Sequence, residues 1–167
     1  MFEKIDIKNL SFKPFELIGN EWMLITAGDL QSHNTMTASW GGVGIMWNNP
    51  VVTTYIRPQR YTKEFIDREK YFTVSFYDNQ FKPALQLCGT KSGREVNKTK
   101  EAGLTPKIFG KSIAFEQAKL VIVCEKQYVQ QLDPKSFIDC QIIDSSYSNN
   151  DFHFMYISKI VETYIKK

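Results

Sequence analysis

Cysteine and histidine are scarce in this chain of 167 residues, and that scarcity removes several chemistries at once. Three cysteines, Cys88, Cys124 and Cys140, stand far apart and form no Cys-x-x-Cys pair. An odd, widely spaced set argues against a disulfide framework. The two histidines, His33 and His153, are not at metal-ligand spacing from any cysteine, so no metal site is expected. Positive charge is also thin. The net charge is +3 and no lysine block tracks a phosphate backbone, which speaks against nucleic acid as a partner. No apolar run approaches the roughly 18 residues of a membrane-spanning helix, so no membrane partner is expected. The N-terminal "MFEKIDIKNL" lacks the apolar core of a signal peptide. A cytoplasmic protein with reduced thiols is the expectation.

Familiar catalytic signatures are missing too. Gly-x-Gly-x-x-Gly, the P-loop pattern and the Gly-x-Ser-x-Gly elbow are all absent. No nucleophile has an adjacent base. Chemistry on this chain therefore calls for a cofactor to carry it.

Aromatic and β-branched residues are plentiful. Aromatics make up 14% of the chain, many of them in strand-like segments. Residues 22–27, 51–57, 71–77, 118–128 and 152–164 read as strands, and 136–144 as a sixth. Residues 62–70, 79–89 and 92–104 read as helices, the last with a Ser92/Glu95 capping box and a Gly103 stop. Residues 104–112 and 144–151 read as loops or turns. There is no regular β-α-β alternation. The expected fold is mainly β, an antiparallel barrel with peripheral helices, in one domain over 1–167.

Three stretches carry candidate binding chemistry. In "RPQRYTKEF", Arg57 and Arg60 flank a turn and Thr62 is a plausible N-cap of the next helix. Guanidinium groups and unpaired helix amides suit phosphate; an ordinary polar surface turn has the same spacing. In "CGTKSGREVNK", Ser92 caps a helix, Gly93 lets a ligand near the backbone, and Arg94 and Lys98 share a helical face. A plain capped surface helix reads the same way. In "NTMTASW", Asn34, Met36, Ala38 and Trp40 alternate with Thr35, Thr37 and Ser39. Small side chains let a planar ring lie close to the backbone, and hydroxyls and an amide can bond its polar edge. Trp40 either stacks on that ring or plugs the barrel. Cys88 reads as a buried helix residue. His153, on a strand face with Met155 and Ile157, is a core-edge histidine or the one candidate catalytic side chain.

Taken together, "NTMTASWGG", "RPQRYT" and "CGTKSGREVNKTKEAGLTP", with the closing "NDFHFMYISKIV", resemble the flavin reductase-like proteins of the FMN-binding split barrel, the flavoredoxin branch in particular. The resemblance runs in order from about Phe15 to Val161. It implies a split β-barrel homodimer holding FMN without a covalent link. Asn34, Thr35, Met36, Thr37, Ala38, Ser39 and Trp40 would line the ring and ribityl chain. Arg57, Arg60, Tyr61 and Thr62 would hold the phosphate, and Ser92, Gly93, Arg94 and Lys98 would complete the pocket, across the subunit interface if the dimer shares it. The implied activity passes electrons from NAD(P)H or a redox protein through FMN to a flavin, metal or protein acceptor. A flavin carrier without turnover needs the same residues. The closing strand departs from the family's His-x-x-x-x-Gly-Glu-Val: Ser158 stands at Gly and Lys159 at Glu. Asn97 stands where Asp is common.

Overall fold

A computed structural model describes residues 1–167. Ten strands form: β1 (Phe2–Ile5), β2 (Met23–Gly28), β3 (His33–Ala38), β4 (Gly41–Met46), β5 (Asn49–Ile56), β6 (Tyr71–Phe76), β7 (Pro106–Phe109), β8 (Ser112–Phe115), β9 (Leu120–Gln131) and β10 (Phe154–Lys166). Four α-helices accompany them: α1 (Tyr61–Arg68), α2 (Lys82–Thr90), α3 (Lys98–Glu101) and α4 (Gln141–Ser146). The main sheet is antiparallel and runs β3-β2-β6-β9-β10-β5-β4, with β1 added on β10. Its two end strands, β3 and β4, are consecutive in the chain and joined only by Ser39 and Trp40, yet they do not pair. The sheet therefore curls into a barrel that stays split along one seam.

Period-two alternation explains how the barrel is filled and covered. Along β9, Ile122 and Cys124 point into one cluster, while Val121 and Val123 point into another. The first cluster fills the barrel with Met23, Ile25, Met36, Phe72, Phe76 and Tyr156. The second lies on the outer face, where Leu85 and Cys88 of α2 and Phe109 and Phe115 of the β7–β8 hairpin cover β2 and β9. Both faces of "LVIVC" are buried, so the run is continuously apolar instead of alternating. The β4–β5 hairpin turns on Trp47 and Asn48, both at positive φ (49° and 58°), the conformation of a two-residue primed turn.

Three local expectations are corrected. Residues 136–144 are not a strand. Asp133 and Asp139 accept hydrogen bonds from the amides of Lys135 and Gln141, which starts helical turns, and α4 follows. No sheet edge is available there: the first half of β10 is already flanked by β5 and β9. The helix expected over 92–104 shrinks to α3, because the Asn97 side chain caps it by accepting from the Lys100 amide. Ser92 Oγ accepts from the Arg94 amide instead of forming a capping box. Gly103, at φ 65°, does end this helix. Residues 104–112 are more than a loop: Gly110, at φ 56°, turns β7 back onto β8. No helix is long and apolar enough to cross a membrane.

Ile122→Ala removes a side chain at the centre of the barrel, where it is fully buried. It is expected to cost about 2–5 kcal/mol, read as a lower urea midpoint with an unchanged m value.

Candidate functional site

The open seam makes a cleft of about 230 Å³, lined by Met36, Thr37, Ala38, Ser39, Trp40, Tyr55, Arg57, Arg60 and His153. Strand β3 supplies one wall, the end of β5 the other, and His153, just before β10, the floor. An adjoining hollow of about 190 Å³ is lined by Arg57, Arg60, Tyr61, Thr62, Thr90, Ser92 and Lys98, among others. The two share both arginines.

Most side chains of β3 are already committed within the fold. Asn34 Nδ2 donates to Thr62 Oγ1 at 2.8 Å. Thr35 Oγ1 meets Thr26 Oγ1 at 2.8 Å beneath the strand. Thr37 Oγ1 donates to the Leu85 carbonyl. The row therefore divides: Thr37 and Ser39 line the seam cleft, Asn34 faces a separate hollow with Gly93, Arg94 and Lys98, and Thr35 lines neither. The outward threonines are spent on docking α2 and β2, since a buried hydroxyl without a partner is costly. Close approach follows: a Cβ on Gly89 would sit 3.2 Å from Thr37 Cβ. Ser39 makes no side-chain hydrogen bond to the protein and remains available. Trp40 is half-exposed, and its ring lies 5.0 Å from that of His153.

The two arginines differ in their freedom. Arg57 Nη1 pairs with Asp151 at 2.5 Å, and its Nη2 donates to the Ser146 carbonyl at 2.8 Å. Arg60 Nη1 donates to the Gly89 carbonyl at 2.7 Å, and its other N–H groups have no protein partner. Burial, and then the Arg57 charge, lower the Arg60 pKa, so this cation gains from any anion that reaches it. Arg60, not Thr62, is the N-cap of α1, and it gives no side-chain cap. Thr62 sits inside the helix, buried against Asn34. The first-turn amides of Tyr61 and Thr62 thus have no partner within the helix and open beside Arg60.

The 92–98 stretch is also rearranged. Arg94 pairs with Glu64 and lies over the Tyr61 ring, while Lys98 is buried, so the two share no helical face. Lys98 Nζ donates to the Thr35 and Cys88 carbonyls, each at 2.9 Å, and ties β3 to α2. Burial lowers its pKa to about 8. Burial raises the Cys88 thiol to about 11, which makes it inert. Gly93 packs directly on the Asn34 amide, where a Cβ would clash with Oδ1. The close approach is to the protein's own side chain.

Sequence reasoning missed Tyr55, Gln59, Thr90 and Lys91, which line the two hollows, and Tyr147 and Asp151, which brace them. Tyr55 was within reach, being on the alternate face of "VTTYIR". Gln59, Thr90, Lys91 and Asp151 were too, since they lie inside the quoted motifs, whereas Tyr147 arrives by long-range contact and leaves no local signal.

Lys98 gives a test with a definite sign. The folded chain holds this proton less tightly than an ordinary lysine, so deprotonation favours the native state between about pH 8 and 10.5. The stability of the native chain relative to Lys98→Met is expected to rise from pH 8 to pH 10, as read from paired urea midpoints.

The architecture has solved counterparts. A flavoredoxin from Methanosarcina acetivorans superposes with a TM-score of 0.71 at 18% identity, over 99% of this chain and 76% of the other. The FMN-binding domain of a flavin reductases-like enzyme from Shewanella baltica OS155 gives 0.69 at 15%, over 99% and 77%. An FMN-binding protein from Thermus thermophilus with bound p-hydroxybenzaldehyde gives 0.67 at 19%, over 87% and 71%. At such identities these likenesses establish the fold only. No curated protein sequence matches the chain. The family model described as a flavin reductase like domain matches residues 15–167. With a split antiparallel barrel and that match over nearly its whole length, the chain belongs to the flavin reductase-like family.

Proposed function

We propose that the seam cleft and its adjoining hollow bind one FMN, and that the protein is an FMN-dependent oxidoreductase. The observation that carries this reading is the junction of the two hollows at Arg60. A guanidinium with free N–H groups and two open helix amides stand at one end. A wall of Ala38, Ser39 and Met36 stands at the other. An anion suits the first environment, and a flat, largely apolar ring suits the second.

Arg60, the Tyr61 and Thr62 amides and the Ser92 hydroxyl would hold the phosphate. Lys98 would support them from beneath, through Thr35 and Cys88. Asn34, Gly93 and Arg94 would act at one remove: Asn34 and Gly93 fix Thr62 and the neighbouring loop, and Arg94 covers Tyr61. Arg57, bound to Asp151, would shape the shared wall more than it neutralises the ligand. Met36, Thr37, Ala38, Ser39, Trp40 and Tyr55 would bound the ring, with His153 the one ionisable group on the cleft floor.

When bound, FMN supplies the redox chemistry, accepting a hydride or electrons and yielding them to an acceptor. The protein's work is to bind, to orient and to leave one face of the ring open. No acid or base is demanded of the chain. NAD(P)H or a redox protein is the proposed donor, and a flavin, metal or protein the acceptor. A homodimer is part of the proposal. The β4–β5 hairpin leaves Ile45 and Trp47, 72% and 52% exposed, on an apolar tip that a second copy would cover.

Purified protein is expected to absorb as a flavoprotein, alone or after adding FMN, and to oxidise NADH or NADPH faster than buffer with flavin does. Light scattering is expected to give twice the chain mass. A colourless protein that takes up no FMN overturns the reading; bound FMN without turnover leaves a flavin carrier. Arg60→Ala is expected to weaken FMN at least tenfold while barely changing riboflavin, which has no phosphate, and Arg57→Ala to do less to FMN. Equal losses for both ligands would show that Arg60 acts through the fold.

A further inference from the structure

Tyr147 belongs to none of the motifs at the cleft. It follows α4, in the segment joining β9 to β10, and its hydroxyl lies 2.9 Å from His153 Nδ1. Packing fixes its place: the ring stacks on Phe152 at 4.7 Å and meets Phe137 edge-on at 5.7 Å. His153 is itself only 7% exposed. His153 lines the cleft; with Nδ1 turned to Tyr147, Nε2 lies on the other edge of the ring, and no protein group hydrogen-bonds it. The Trp40 indole shields the ring from one side.

The direction of the Tyr147–His153 bond decides what Nε2 can do. A phenol O–H is a stronger donor than a neutral imidazole N–H, and an imidazole nitrogen a stronger acceptor than a phenol oxygen. Tyr147 makes no other hydrogen bond through its hydroxyl, so nothing competes for its proton. The Arg57 guanidinium lies 5.3 Å from the Tyr147 ring centroid, and burial raises the phenol pKa, so the hydroxyl keeps the proton it donates. Nδ1 is therefore the acceptor, and the imidazole proton resides on Nε2.

We infer that Tyr147 is a positioning residue that sets the proton of His153 on Nε2, turning that nitrogen into a neutral hydrogen-bond donor for a carbonyl oxygen at the edge of a planar ligand. The role at the ligand rests on the cleft being the flavin site proposed above; the proton's position does not.

The surroundings keep the imidazole uncharged. Arg57 from the end of β5 and Arg60 at the start of α1 face it with positive charge, and Asp151 faces it with negative charge from the segment before β10. Tyr55 on β5 and Tyr147 after α4 are the remaining titratable neighbours. The Asp151 carboxylate is already paired with Arg57. Burial first and Arg57 second lower the His153 pKa to about 4, so the imidazole stays neutral through physiological pH.

The test is long-range ¹H–¹⁵N correlation of the imidazole in the full chain, without ligand, beside titrations with riboflavin. In the native protein at pH 7, His153 is expected to show a protonated Nε2 and a bare Nδ1, unchanged from pH 8 to about pH 5. In Tyr147→Phe, which keeps the ring stack, the two tautomers are expected to mix and the pKa to rise. Riboflavin binding by that variant is expected to weaken about three- to tenfold, the loss of one neutral hydrogen bond. A protonated Nδ1 in the native chain, or a tautomer unaltered in Tyr147→Phe, overturns the inference. A changed tautomer with unchanged riboflavin affinity overturns the donor role. Failure of the native chain to bind any flavin overturns the proposed function while the tautomer result stands.

Discussion

Two residues, Ser39 and Trp40, separate β3 from β4, a length that ordinarily makes a hairpin. Here the strands diverge. β3 is hydrogen-bonded to β2 and β4 to β5, at opposite ends of one sheet. Gly41 makes the corner possible, for a Cβ there would sit 2.9 Å from the Thr53 carbonyl and 3.0 Å from Met23 Cε. Everything distinctive about the molecule follows from this unpaired corner. It leaves a gap in an otherwise continuous ladder, and it collects Ser39, Trp40, Tyr55, Arg57 and His153 around that gap.

A gap in a barrel would weaken it unless its borders were braced, and the polar residues near the cleft chiefly serve that end. Lys98 joins β3 to α2, Asn34 joins β3 to α1, and Arg60 joins the start of α1 to the end of α2. Arg57 holds the segment between β9 and β10 through Asp151 and Ser146. Each bond satisfies a group that burial would otherwise leave unpaired. The uncommitted groups include part of the Arg60 guanidinium, two helix amides, the Ser39 and Tyr55 hydroxyls, the Trp40 indole N–H and one imidazole nitrogen.

The five principal strands were legible because their β-branched and aromatic runs are long, and the family because four motifs occur in order. Ser92-x-x-Glu95 misled because Asn97, two residues on, offers a better cap to a helix that must also bury Lys98. The 136–144 stretch misled because alternation does not reveal whether a sheet edge is free to accept a strand; Ile138 ends up fully in solvent. The hairpin of β7 and β8 is short and hides behind Pro106 and Gly110. Above all, residue type showed which groups were polar but not which were already engaged. Asp151 lies far from Arg57 in sequence, and nothing near "RPQRYT" announces it.

Burial is uneven across the sheet. At β2, β6 and β9 both faces are covered, whereas β4 has no buried residue. Amide protons at the centre should exchange with deuterium only on global unfolding, while those bordering the corner escape through small local openings. The proposed flavin cleft borders this corner through Ser39 and Trp40, and a ligand that fills it is expected to slow exchange in the residues around the corner.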